Sequence, residues 1–182
     1  MKIITAIEKY DLNQFEIPCF LAGGITNCSE WQNEIIKGLN EKLKDDYEEC
    51  RLVLFNPRRE NFPINDPNAA LEQINWEFEY LEKCQIFSMF FDGTAKSDQP
   101  ICFYELGRNI ERMKQKFPKD WWMRIIVSVN SNFKRSNDVI IQTSLTTNNK
   151  VKVNVSNSSD ELIQKHIDDI YSSFKYACMF TS

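Results

Sequence analysis

The chain alternates short apolar runs with longer amphipathic stretches. Four runs, Ile17–Ala22, Arg51–Phe55, Ile86–Phe91 and Ile125–Val129, stop at Gly23-Gly24, Asn56-Pro57, Asp92-Gly93 and Asn130. Apolar runs of this length closed by turn residues read as buried strands. Between them, apolar positions recur three and four apart, as on one face of a helix. The stripes are Trp31, Ile35, Ile36, Leu39 and Leu43; Ala70, Ile74, Phe78 and Leu81; and Phe103, Leu106, Ile110 and Met113. A last one runs through Ile163, Ile167, Ile170 and Phe174. Helix-start signals stand where these stripes need them. Ser29-x-x-Gln32 and Ser158-x-x-Glu161 read as capping boxes, Asp66-Pro67 as a cap with its first helical residue, and Ser97, Asp98 and Pro100 as another start. Val139–Gln142 is a fifth strand candidate, and Lys150–Val155 alternates as an edge strand does. Met1–Glu16 is polar, with no clear period.

Strands alternating with helices argue for a mostly parallel sheet covered on both faces. Right-handed crossovers then favour a doubly wound, flavodoxin-like α/β fold with a five-stranded sheet. No repeat or linker divides the chain, so residues 1–182 read as a single domain. Residues 1–16 form its lead-in, and residues 150–182 its edge strand and C-terminal helix.

Composition narrows the function. The formal net charge of -4 gives no basic footprint for a nucleic-acid polymer. No apolar run reaches the length of a membrane span, and the N-terminus lacks the apolar core of a signal peptide. The six cysteines include no CxxC pair and there is one histidine, His166, so a zinc site is not expected. Reduced thiols in a cytoplasmic protein, with no metal and no organic cofactor, are the expectation.

The chemistry concentrates around Ile86–Arg108, a strand, a loop and a helix carrying Glu105. In open α/β sheets, ligands collect at the carboxyl ends of strands, where helix N-termini also point. Near such a start the peptide dipoles favour an ionised carboxylate, a competent nucleophile towards a sugar carbon. Gly107 would let that helix approach a strand or ligand closely. On spacing alone, Glu105 reads equally as a helix-surface carboxylate. Glu77 shares a stripe with Ile74 and Leu81, so burial would raise its pKa and suit it to hold a proton; pairing with an arginine reads as well. Gly23 and Gly24 would bring backbone N–H groups to a ligand, Asn56 and Arg58 would face the same crevice, and Asp92 could bind a sugar hydroxyl. Each also reads as turn chemistry.

Four motifs in order, FLAGGI at 20–25, FNPRR at 55–59, INWEFEYL at 74–81 and PICFYELGR at 100–108, resemble the nucleoside 2-deoxyribosyltransferase family, most closely a divergent branch of it. The resemblance spans roughly residues 17–145. It implies a flavodoxin-like fold and cleavage of an N-glycosidic bond by two displacements with retention. By position it makes Glu105 the nucleophile and Glu77 the residue assisting the leaving base, with Gly23 and Gly24 at substrate. Phe20 stands where the family carries a tyrosine. Asp98 or Asp92 would serve for the family aspartate that precedes the nucleophile. The implied partner is a small nucleoside or nucleotide, in the latter case with Arg58 and Arg59 on its phosphate, and the implied assembly is a homo-oligomer. Non-catalytic nucleotide sensing on the same fold is the alternative class.

Overall fold

The computed structural model describes residues 1–46, 49–63, 65–94, 96 and 98–180. Six parallel strands form one sheet: β1 (Lys2–Thr5), β2 (Glu16–Gly23), β3 (Arg51–Asn56), β4 (Ile86–Phe91), β5 (Ile125–Asn130) and β6 (Val153–Ser156). Their order is β1-β3-β2-β4-β5-β6. Without β1 this is the flavodoxin-like order, and the chain's direction across the sheet switches between β2 and β4. Helices α1 (Trp31–Lys42), α2 (Ala69–Lys83), α3 (Pro100–Lys116), α4 (Ser136–Thr147) and α5 (Ser159–Cys178) cover both faces.

The period-2 alternation of the strands separates two cores. Ile17, Cys19 and Leu21 of β2, Leu52 and Leu54 of β3, and Ile86 and Phe90 of β4 pack against α1 and α5. Phe20 and Ala22, Val53 and Phe55, and Phe87, Met89 and Phe91 point the other way, into a core with α2, α3 and α4. Parity along each strand therefore decides which helical layer a side chain meets.

The sheet has one strand more than the pattern predicts, and two segments change identity. Lys2–Thr5 of the supposed lead-in pairs with β3, Thr5 opposite Asn56. The crossover that follows is tied to α2, where Trp76 Nε1 donates to the Glu8 carbonyl (2.7 Å) and the Tyr10 N–H to the Tyr80 hydroxyl (2.6 Å). One-sided burial of a four-residue edge strand leaves little periodicity to read. Val139–Gln142 is not a strand but the middle of α4, whose buried side is Val139, Thr143 and Thr147. Its β-branched residues misled, because four-residue spacing on a packed face outweighs strand propensity. The edge strand itself falls at Val153–Ser156, paired with β5.

The helices begin and turn differently in places. The Ser29-x-x-Gln32 box does not form; α1 follows Glu30, which makes no side-chain cap. Ser158 does cap α5, its Oγ accepting from the Glu161 N–H. Asp66-Pro67 lies two residues before α2, and Asp66 Oδ1 accepts from the N–H of its N-cap, Asn68. The face α2 buries is Ala69, Trp76, Tyr80 and Leu81, while Ala70, Ile74 and Phe78 point to solvent. Among the described residues, no helix is long and apolar enough to cross a membrane.

Candidate active site

A cavity of about 460 Å³ opens at the carboxyl ends of the strands, beside the switch between β2 and β4. Its floor is Phe20 and Ala22 of β2, both of the parity that faces α2 and α3. Gly23, Gly24 and the loop residues Ile25–Asn27 form one wall; Pro57 and Glu77 form another. Gln99 and the first turns of α3, with Cys102 and Glu105, close the third.

Glycine is required where β2 ends. Gly23 has φ +148°, and a Cβ there would meet the Phe90 carbonyl oxygen at 2.3 Å. A Cβ on Gly24 would meet Cys28 Sγ at 2.5 Å and Gln99 Oε1 at 2.6 Å, so the glycine wall and the start of α3 are in direct contact. Gly107 differs from its expected role: it is exposed, and a Cβ there would touch nothing within 4 Å.

The two acids come from neighbouring helices into this one space. Glu105 is the sixth residue of α3, past the free N–H groups of the helix start. The dipole therefore does not hold it ionised. Burial, then the charge of Glu77, push its carboxyl up to about 7 against the opposing pull of Arg108. Burial also raises Glu77, moderated by a hydrogen bond from Gln73 Nε2 (2.8 Å), which bridges to the Pro57 carbonyl (2.6 Å).

Other expected site residues lie elsewhere. Asn56 and Asp92 have the strand parity of the α1 face and do not line the cavity. Asn56 instead accepts from the Arg58 N–H (3.1 Å). Arg58 does not reach the cavity either; its guanidinium serves Gln32 Oε1 (2.8 Å), Glu30 Oε1 (2.9 Å) and the carbonyls of Ser29 (2.7 Å) and Ile25 (3.4 Å). Asp92 accepts from the Ser29 N–H (2.6 Å) and from the Thr94 hydroxyl and N–H (2.6 and 3.1 Å). Burial opposes its charge, but these hydrogen bonds prevail and hold its pKa below the usual value. Asp98 is exposed and pairs with Lys134 (3.4 Å). Ser97 lies outside the described residues.

Gln99 occupies the wall in front of Glu105 and was missed. It is buried, with φ +48°, and its Nε2 donates to the Asp92 carbonyl (3.4 Å). The visible signal was its place directly before Pro100, which takes the first helical position.

Residues 16–117 match the family model described as nucleoside 2-deoxyribosyltransferase like. The chain belongs to that family. The match runs from β2 to the end of α3 and so contains every residue that lines the cavity. The parts of this nucleoside 2-deoxyribosyltransferase-like domain outside the match include β1, β5 and β6 of the sheet, with α4 and α5. No curated protein matches the chain. Within the family's FLAGG-type segment, Phe20 contributes a ring to the floor, 6.0 Å from that of Trp76, and no hydroxyl.

Proposed function

We propose that the protein cleaves the N-glycosidic bond of a 2'-deoxyribonucleoside and passes the sugar to a second base or to water. The observation that carries this reading is the meeting of Glu105 and Glu77 in one cavity, both with raised pKa values. A Glu105 carboxylate oxygen attacks C1' as the C1'–N bond breaks, and the bond's electron pair leaves on the base nitrogen. Glu77, carrying the one proton that the two carboxyls share, gives it to that nitrogen. An incoming base nitrogen or water then attacks C1' from the vacated side, loses its proton to Glu77, and releases Glu105 with net retention. With the Glu105 pKa raised to about 7, the pair keeps this shared proton up to about neutral pH.

The substrate in this reading is a nucleoside, not a nucleotide. The cavity is lined by two acids and, among the described residues, by no lysine or arginine, while Arg58 does not line it and is engaged by four protein acceptors. A 5'-phosphate would face carboxylates without a counter-charge. Self-association is supported by Ile74, Phe78, Ile101 and Tyr104, each more than half exposed on α2 and α3. One observation favours a second reading, non-catalytic binding: Phe20 offers no hydroxyl to orient the nucleophile.

Incubation with a deoxynucleoside and a second free base, followed by chromatography, separates these readings. Base exchange or base release supports the enzyme, and denatured samples should carry a deoxyribosyl adduct on the peptide containing Glu105. Binding without exchange, release or adduct establishes the sensor instead.

A further inference from the structure

We infer that Arg58 and Asp92 are positioning residues that grip the cavity wall at a single residue, Ser29, through its N–H and its carbonyl, and set the wall's distance from Glu105. The inference rests on the catalytic reading above for its consequence, though not for its geometry. In the sheet, β2 lies between β3 and β4, and its exit loop crosses their carboxyl ends. Each neighbour sends one charged side chain to that loop. From beyond β3, Arg58 Nη2 donates to the Ser29 carbonyl at 2.7 Å; from beyond β4, Asp92 Oδ2 accepts from the Ser29 N–H at 2.6 Å. Charge-assisted hydrogen bonds of this length are among the stronger ones a protein makes. The other end of the loop is fixed by Trp31 Nε1, which donates to the Gly24 carbonyl at 2.9 Å. Between these anchors lie Ile25, Thr26 and Asn27, the residues that the wall presents to the cavity.

Asp92 also joins the wall to the nucleophile's helix. Its main-chain carbonyl accepts from Gln99 Nε2, and Gln99 precedes the first residue of α3. Gly24 packs against the same Gln99 side chain. Wall and helix are thus referred to one residue that does not itself touch the cavity. Displacement of a bound sugar by a fraction of an ångström relative to its nucleophile is costly, so a loosened wall lowers turnover without altering the acids.

The test uses the full chain carrying Arg58→Lys, Asp92→Asn, and both. Lysine keeps the charge but loses the fork, and asparagine keeps an acceptor oxygen for Ser29. Amide exchange read by mass spectrometry in ligand-free protein should quicken about tenfold over residues 25–30 in each single variant, with α5 unchanged. The double variant should exchange little faster than the worse single one, because both grips hold one residue. Deoxynucleoside kcat/KM should fall about tenfold while the pH at which the profile falls stays in place. Exchange over residues 25–30 equal to wild type in both single variants overturns the inference, as does a loosened loop with kcat/KM within about twofold of wild type. If the wild type neither exchanges nor releases bases, the catalytic reading falls and the exchange measurement alone decides the grip.

Discussion

Glu77 raises the pKa of Glu105 across the cavity they share. Burial is the larger cause of the shift, and the two carboxyls share one proton up to about neutral pH. In the mechanism proposed above, cleavage needs one proton on the pair, so it should fall as pH rises through about 7, where that proton leaves. Glu77→Gln removes the neighbouring charge, so Glu105 ionises at lower pH and the fall near 7 disappears. It should also reduce the plateau rate by about 10²-fold or more, because the leaving base loses its proton donor. A pH profile of kcat/KM for both proteins measures the two effects separately, and an unmoved fall would disconnect the two acids.

Glu105→Gln should abolish turnover, by at least about 10³-fold, and stabilise the fold at alkaline pH. The folded-state pKa of about 7 is above the ordinary 4.5, so the neutral acid is what folding favours. Its contribution is complete below pH 4.5 and is lost as pH rises through 7. A shift of this size corresponds to roughly 3 kcal/mol at pH 8. Denaturant melts should thus separate variant from wild type at pH 8 and bring them together near pH 4. Equal stability at both pH values would place the side chain in water.

Much of the site was legible because its motifs sit on the strongest patterns. The runs ending at Gly23, Asn56 and Asp92 all proved to be strands, and the helix carrying Glu105 begins at Pro100 as read. What the reading lacked was parity. Leu52, Leu54 and Asn56 form one alternating set, as do Ile86, Ser88, Phe90 and Asp92, and both sets face α1 and α5, whereas the cavity lies with Phe20 and Ala22 on the other face. That parity alone accounts for Asn56 and Asp92 lying outside the cavity lining. The face of α2 was harder. Ile74 and Phe78 fit a helical stripe as well as Trp76 and Tyr80 do, and only the T-shaped and stacked contacts of Phe55, Trp76 and Tyr80 choose between them.

Two glycines should respond in opposite senses to alanine. At Gly23, φ +148° and the Phe90 carbonyl at 2.3 Å leave no room for a Cβ, and backbone cannot yield as a side chain can. Gly23→Ala should cost about 2–3 kcal/mol or more. Gly107 lies within α3 with open space around it. Gly107→Ala should add roughly 0.5–1 kcal/mol of stability, the difference in helix propensity, and leave base cleavage unchanged. Loss of stability in the second variant would mean that a subunit or ligand packs against that glycine.

His166 should make the protein sensitive to acid. It is fully buried on α5 with Ser88 Oγ of β4 at 2.5 Å from Nε2 and Ser128 Oγ of β5 at 2.7 Å from Nδ1. Those serines have the strand parity that faces α5, so the neutral ring joins two adjacent strands to the helix. Burial pulls its pKa down to about 3. The unfolded chain takes up a proton near pH 6.5 while the folded one does not until about pH 3, so stability is lost as pH falls across that interval. The loss attributable to this one ring is roughly 3–5 kcal/mol by pH 3. His166→Gln keeps a donor and an acceptor but cannot titrate, so it should be less stable than wild type at pH 7 and lose less on acidification to pH 4. Chemical denaturation at both values, with the carboxylates common to both proteins, isolates the histidine; parallel losses in the two proteins would show that the ring is protonated as readily folded as unfolded.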